Sequence, residues 1–151
     1  MSDPHAAQWR EWRAALASPR MHHAWILAGR KGLGKHDFAL AAARELVAIG
    51  RTAPAGENDP DIQLLTHLPK DEKEARKQEK GEPFETKRNI AIEQVRGMQA
   101  RLTTRPTLGA YRAIIIDPAD DLERNAANAL LKSLEEPPEG TFFLLVAHSP
   151  A

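Results

Sequence analysis

The chain has 151 residues, 21 lysines and arginines against 21 aspartates and glutamates, 42% hydrophobic residues and no cysteine. That length holds one moderate core, and zero net charge excludes steering to nucleic acid or an anionic membrane by the overall field. The lack of cysteine excludes disulfides and any thiolate zinc site. No apolar run approaches the roughly 18 residues of a membrane span, and Ser2-Asp3-Pro4-His5 is no signal peptide, so the expected compartment is the cytoplasm, with no membrane partner.

Trp9, Trp12 and Leu16 recur at helical spacing and predict a packed helix over 8–16, closed by Ser18-Pro19. Ala24 to Ala28 reads as a short apolar strand with Trp25 in the core; His22 and His23, just ahead, read as surface or core-edge residues. The strand runs into Gly29-Arg30-Lys31-Gly32-Leu33-Gly34-Lys35-His36, a match to the phosphate-binding pattern G-x-x-x-x-G-K-[ST] in all but its last letter. In that pattern backbone N–H groups curl around phosphate oxygens, the lysine reaches the terminal phosphates, and a hydroxyl coordinates Mg2+. His36 stands where the hydroxyl belongs, and imidazole is a poor ligand for a hard, oxygen-seeking ion. The alternative makes Lys35 a plain helix-start lysine. The helix that follows is expected to run from about Lys35 to Ile49 and to stop at Gly50.

Arg51 to Pro60 is rich in turn residues and leads to a short strand, Ile62 to Thr66. Pro69 to Pro83 is charged nearly throughout. Glu72 and Arg76 have helical spacing, but nothing there is expected to be buried. Residues 69–88 therefore read as a solvated or disordered surface excursion, with a docking or DNA-touching loop as the alternative. Ile92, Val95, Met98 or Gln99, and Leu102 mark another helix, and Ala113 to Ile116 an apolar strand ending in Asp117. Ala127, Leu130, Leu131 and Leu134 mark a helix stopped by Pro137-Pro138, and Thr141 to Ala147 is the last strand. Strands and helices alternate, and the strands are near-continuously apolar. That order argues an α/β fold, a parallel sheet flanked by helices on both faces.

A nucleotide site of this kind needs an acid at the end of a second strand to hold Mg2+, commonly through water, and Asp117 supplies it. In many ATPases of this architecture the next residue is a glutamate that orients the attacking water. Here it is Pro118, which has no acid–base function; Asp120 and Asp121 follow, in a turn that would aim them elsewhere. Two separate steps are thus disabled. The expectation is a degenerate site at Gly29, Gly34, Lys35, His36, Asp117 and Pro118, with no catalytic residue, no metal and no required cofactor. Any ATP or ADP would be held weakly, without ordered Mg2+. Glu135 and Glu136 read as helix-end residues, and no other His/Asp/Glu set has metalloprotease or triad spacing.

Several segments together carry a resemblance: Arg20-Met21-His22-His23-Ala24, Asn58-Asp59-Pro60-Asp61, Ile92-Glu93-Gln94-Val95-Arg96, Tyr111 to Asp120, and Asn125 to Pro138. They resemble the N-terminal part of the AAA+ clamp-loader subunits of bacterial DNA polymerase III, on the delta-prime branch. The resemblance implies a P-loop NTPase AAA+ core over residues 1–151, with the last strand, the helical lid and an oligomerisation domain beyond Ala151. A chain that stops just past an apolar strand is expected to be a fragment. The gamma/tau motor relatives carry Thr after the P-loop lysine and Glu after the strand-end Asp. His36 and Pro118 therefore favour delta-prime, whose members commonly lack working ATPase residues.

The implied role is that of an accessory subunit of the polymerase holoenzyme. Its partners would be the gamma/tau and delta subunits and, through the complex, the sliding clamp and primed DNA. Relatives often carry a four-cysteine zinc module where this chain has Arg51 to Pro60, so no zinc is expected. Arg124, Asn125 and Asn128, at a helix start, are candidates for facing DNA phosphates, because helix N-termini favour anions; local capping is the alternative. The absent strand would flank the first one, leaving Ala24–Ala28 an apolar edge prone to self-association. Two other functions compete. A motor-type ATPase would need Asp120 or Asp121 in place of the missing glutamate. A free-standing nucleic-acid module is opposed by the zero net charge and the lack of an aromatic-basic surface.

Overall fold

Which way successive strand residues point decides how this chain is layered. The computed structural model describes residues 6–17, 23–28, 34–56, 58–106 and 108–148. The elements are α1 (Ala6–Ala17), β1 (Ala24–Ala28), α2 (Lys35–Val47), β2 (Ile62–Leu65), α3 (Glu72–Glu79), α4 (Ile92–Arg101), β3 (Arg112–Ile116), α5 (Arg124–Glu135) and β4 (Thr141–Ala147). The strands form one sheet in the order β1-β4-β3-β2, and every pairing is parallel. Every residue of β3 is buried, because both faces of the sheet are covered.

Ala113 and Ile115 pack on one face with Trp12, Phe38, Leu46 and Val47 from α1 and α2. Ile114 and Ile116 turn to the other, meeting Val95, Met98, Ala126 and Leu130 from α4 and α5. Each fully buried isoleucine of this kind contributes roughly 1.5–3 kcal/mol of transfer free energy. Three of the α2 residues facing the sheet are alanines, Ala39, Ala42 and Ala43, all fully buried, so that helix lies close against β3. Edge-on aromatic contacts dock α1: Trp9 on Phe38 at 4.6 Å and Trp12 on Trp25 at 5.3 Å between ring centroids. Trp25 itself is only half-buried.

The structure moves several expected boundaries for local reasons. Helix α2 ends at Val47, two residues before the expected Ile49, and the chain reverses at Gly50 with φ of 80°, a left-handed geometry that favours glycine. Strand β3 begins one residue early, at the buried Arg112. Its guanidinium donates to the Arg101 carbonyl at 3.0 Å and to Thr104 Oγ1 at 3.3 Å. A cation at the carbonyl end of α4 suits the helix dipole, which is how an arginine comes to open an otherwise apolar strand.

The expectation that nothing in 69–83 is buried is wrong, and so is the disordered option. Asp71 caps α3 by accepting the Glu74 N–H at 2.9 Å. Glu74 is only 6% exposed. Its carboxylate accepts the Glu85 N–H at 3.1 Å and pairs with Lys77 Nζ at 3.1 Å. The Glu85 N–H first, then Lys77, hold that carboxyl below the usual range. Pro69 and Thr86 form an antiparallel bridge that closes the excursion at its base. A hydrophobic pattern cannot reveal a segment organised around a carboxylate.

The turn-rich stretch 51–60 is held by charge as well. Arg51 makes a two-point bond to Asp59, Nη1 to Oδ2 at 2.5 Å and Nη2 to Oδ1 at 3.1 Å, and Nη2 also reaches Asp61 Oδ2 at 2.8 Å. Asp61 further accepts the Leu108 N–H at 2.8 Å. All three charged side chains are buried. The network therefore joins the end of α2, the start of β2 and the loop before β3. Arg51 holds the Asp59 carboxyl below its ordinary value. Removing the cation would leave two buried carboxylates unpaired, so Arg51→Met is expected to destabilise the fold by roughly 3–5 kcal/mol at neutral pH. Because the folded-state value of Asp59 is depressed, its contribution is present above the unfolded value of about 3.9 and is lost as pH falls through the folded value. The gap between wild type and variant, measured by urea unfolding, should therefore narrow below about pH 4.

At the other edge, Trp25 and Leu27 of β1 pack on the α1–α2 side. Ala24, Ile26 and Ala28 face the opposite way and are exposed, Ile26 by 67%. Among the described residues no strand pairs with the outer edge of β1. The expected apolar edge is thus present. Light scattering on the 151-residue chain should show concentration-dependent association that Ile26→Lys reduces, since an edge charge opposes strand addition.

Candidate functional site

Parallel strands deliver their carboxyl ends to one edge of the sheet, and in this chain that edge gathers histidines and aspartates. Asp117 follows β3; its N–H donates to the Leu65 carbonyl at 2.9 Å, and its residue exposure is 7%. Helix α2 starts beside it. Gly34, at φ 78° and ψ 17°, is the residue before the helix, and the buried Lys35 is its first. Gly29 and residues 30–33 lie outside the described residues, as does His22.

His36 is the residue that meets the strand-end acid. Its Nδ1 lies 2.5 Å from Asp117 Oδ2. The other carboxylate oxygen, Oδ1, lies 3.3 Å from Nε2 of His148, the residue that follows β4. The His148 backbone N–H donates to Asp120 Oδ1 at 2.9 Å. His67, just past β2, places Nε2 2.8 Å from Asp121 Oδ2. Three histidines from three different parts of the chain therefore converge on the turn Asp117–Asp121. Asp120 and Asp121 are turned to these partners, as the expectation that they aim elsewhere requires. Pro118 sits between, joined to Asp117 by a cis peptide bond.

The chemistry of the carboxylate sets the ring protons. An ionised aspartate only accepts, so the ring nitrogen hydrogen-bonded to it, Nδ1 of His36, carries hydrogen. Among the described residues the buried Nδ1 of His148 has no hydrogen-bond partner. A Mg2+ ion of the kind this architecture holds with its nucleotide takes about six oxygens at near-octahedral geometry. Here one oxygen of Asp117 is already bonded to the His36 imidazole and the His148 ring crowds the other at 3.3 Å, residue 36 offers nitrogen in place of a hydroxyl, and Pro118 offers nothing. The residues do not fit that ion.

The structure thus brings together His36, Asp117 and Pro118, with Gly34 and Lys35 alongside. Arg124, Asn125 and Asn128 are exposed at the start of α5. Asn125 Oδ1 accepts the Ala126 N–H at 2.9 Å, while the residue before the helix, Glu123, makes no side-chain cap. His67 and His148 escape motif reading because each stands alone in sequence. The signal that identifies them is position: each lies one or two residues past a parallel strand, on the edge where Asp117 ends β3.

A four-stranded parallel sheet in this order, a glycine-led helix after its first strand and an acid at the end of its buried central strand define a P-loop α/β core of the AAA+ type. The chain belongs to the family described as "DNA polymerase III, delta subunit", whose pattern it matches over residues 4–151. It is 33% identical to the DNA polymerase III subunit delta' of Pseudomonas aeruginosa, over all of this chain and 45% of that protein. It is 33% identical to the delta' subunit of Yersinia pestis, over 96% of this chain and 42% of that one. The tau/gamma subunit of Haemophilus influenzae is also 33% identical, over 89% of this chain and 19% of its own length. A DNA polymerase III gamma subunit-related protein from Thermotoga maritima shares the fold, with a TM-score of 0.61 at 21% identity over 92% of this chain and 38% of that one. The chain spans less than half the length of these relatives. Among the described residues no helix is long and apolar enough to cross a membrane.

Proposed function

We propose that this chain forms part of an accessory, delta-prime-like subunit of a bacterial clamp loader, cytoplasmic and without ATPase activity of its own. The observation that carries the reading is the His36–Asp117 bond at 2.5 Å, with a proline as the next residue. Hydrolysis at a P-loop needs a metal to bridge the phosphates and a group to orient water. In this site the acid that would hold the metal is bonded to the His36 imidazole, and the residue that would orient the water has no polar side chain. Losses of that kind each lower the rate by orders of magnitude.

On this reading the subunit is a comparatively rigid member of the complex. The gamma/tau motor subunits move against it, delta is a further neighbour, and the sliding clamp and primed DNA are reached through the assembly. ATP or ADP at Gly34 and Lys35, where it binds, has a structural role. Arg124, Asn125 and Asn128 are exposed and free to face DNA phosphates at a helix start. A motor subunit is the alternative, and identity to a tau/gamma subunit equal to that of the delta' subunits does not separate the two; the missing hydroxyl at 36 and carboxylate at 118 weigh against it.

The test is phosphate release by the full-length protein with ATP, Mg2+ and primed DNA, alone and then assembled with motor subunits. No release above background by the isolated protein, together with turnover by the complex that Lys35→Ala in this subunit leaves unchanged, is the expected result. Turnover by the isolated protein that Lys35→Ala abolishes would make it a motor.

A further inference from the structure

Asp117 is where three elements meet. His36 reaches it from the first turn of α2, His148 from the residue after β4, and Asp117 itself ends β3. One carboxylate oxygen is hydrogen-bonded to the His36 imidazole, and the His148 ring stands 3.3 Å from the other. This is not an ordinary surface pair, which would contribute little, because the Asp117 side chain is only 10% exposed. The rings are positioned from more than one side. His36 belongs to a helix that packs into the core from its fourth residue, through Phe38 and Ala39. His148 is fixed by its own N–H on Asp120, in the same turn as Asp117. His67 adds a fourth tie, from the end of β2 to Asp121.

We propose that His36, Asp117 and His148 form a built-in clasp that stands in place of a metal bridge. It bars Mg2+ from Asp117 and holds the start of α2 and the ends of β3 and β4 in one arrangement, with or without nucleotide. The inference rests on the reading of the site as hydrolysis-incompetent and adds a positive task for the residues that replaced the machinery. A magnesium ion would have to strip the His36 donor from a carboxylate that is nearly closed to solvent, displace the His148 ring 3.3 Å from its other oxygen, then accept a nitrogen where it requires oxygen. Breaking the His36 bond would leave a carboxylate that is itself buried without its donor, although the His36 ring is 44% exposed. The clasp therefore makes the geometry of this edge a property of the chain instead of a response to ligand. A subunit so built presents the same surface to its neighbours through every nucleotide cycle they undergo.

Two measurements on the full-length protein test this. Long-range proton–nitrogen spectra of the histidine rings should show hydrogen on Nδ1 of His36 and on Nε2 of His148, in the wild type and without any variant. His36 with hydrogen on Nε2 alone would overturn the clasp. Thermal melts in ADP should then show a wild-type midpoint that added millimolar Mg2+ does not move. His36→Thr, which supplies a hydroxyl and frees one oxygen of Asp117, should melt about 2–4 °C lower without ligand, and Mg2+ added to ADP should raise its midpoint. A wild-type midpoint that Mg2+ raises over ADP alone, or a His36→Thr midpoint identical to wild type and blind to Mg2+, would overturn the clasp. Metal-dependent stabilisation of the wild type without phosphate release would defeat the clasp alone. Phosphate release would defeat the functional reading beneath it.

Discussion

Asp117 carries its charge at the end of a strand covered on both faces, and a carboxylate in that place has to be neutralised by whatever surrounds it. In a P-loop site a metal and its water shell would do so. In this chain the His36 imidazole bonds one oxygen, and the His148 ring lies 3.3 Å from the other. The layering of the domain follows from the same strand: β3 is buried throughout because helices pack on both its faces. Its parallel partners place their own ends beside Asp117, which is why His67 and His148 lie there at all.

The same solution recurs away from that edge. Arg51 neutralises Asp59 and Asp61 at the opposite, amino-terminal end of β2. Arg112 meets the carbonyl end of α4. Lys77 and the Glu85 N–H satisfy Glu74 inside the charged excursion. In each case a charge is buried only where a partner from another part of the chain meets it, so the polar contacts fix which elements lie next to which. Apolar packing is less selective, since isoleucine and leucine accept many neighbours of similar volume.

The elements themselves were legible because their signals are local. Helical spacing in Trp9-Trp12 and in Leu130-Leu134, and unbroken apolar runs at Ala113–Ile116 and Thr141–Ala147, place helices and strands to within a few residues. Half of the site was legible too, since the pattern around Lys35 and His36 and the acid after a strand are linear motifs. The rest was hidden for a physical reason. His148 and His67 are single residues with no neighbours of functional type, and Glu74 sits in a stretch whose composition describes a solvated surface. Their partners are 31, 54 and 11 residues away, as His148 and Asp117, His67 and Asp121, and Glu74 and Glu85 show.

By itself the sequence determined the alternation of strands and helices, the two-sided burial of the central strand and the loss of a hydroxyl at His36 and a carboxylate at Pro118. Those depend on side-chain identity and period, which a linear chain displays. Only the tertiary structure decided what became of the groups left behind: that Asp117 is bound by His36 and faced by His148, and that Arg51 locks the turn before β2. A hydrogen bond between distant residues is selected by the distance and direction of its atoms, and those exist only once the sheet has brought the strand ends together.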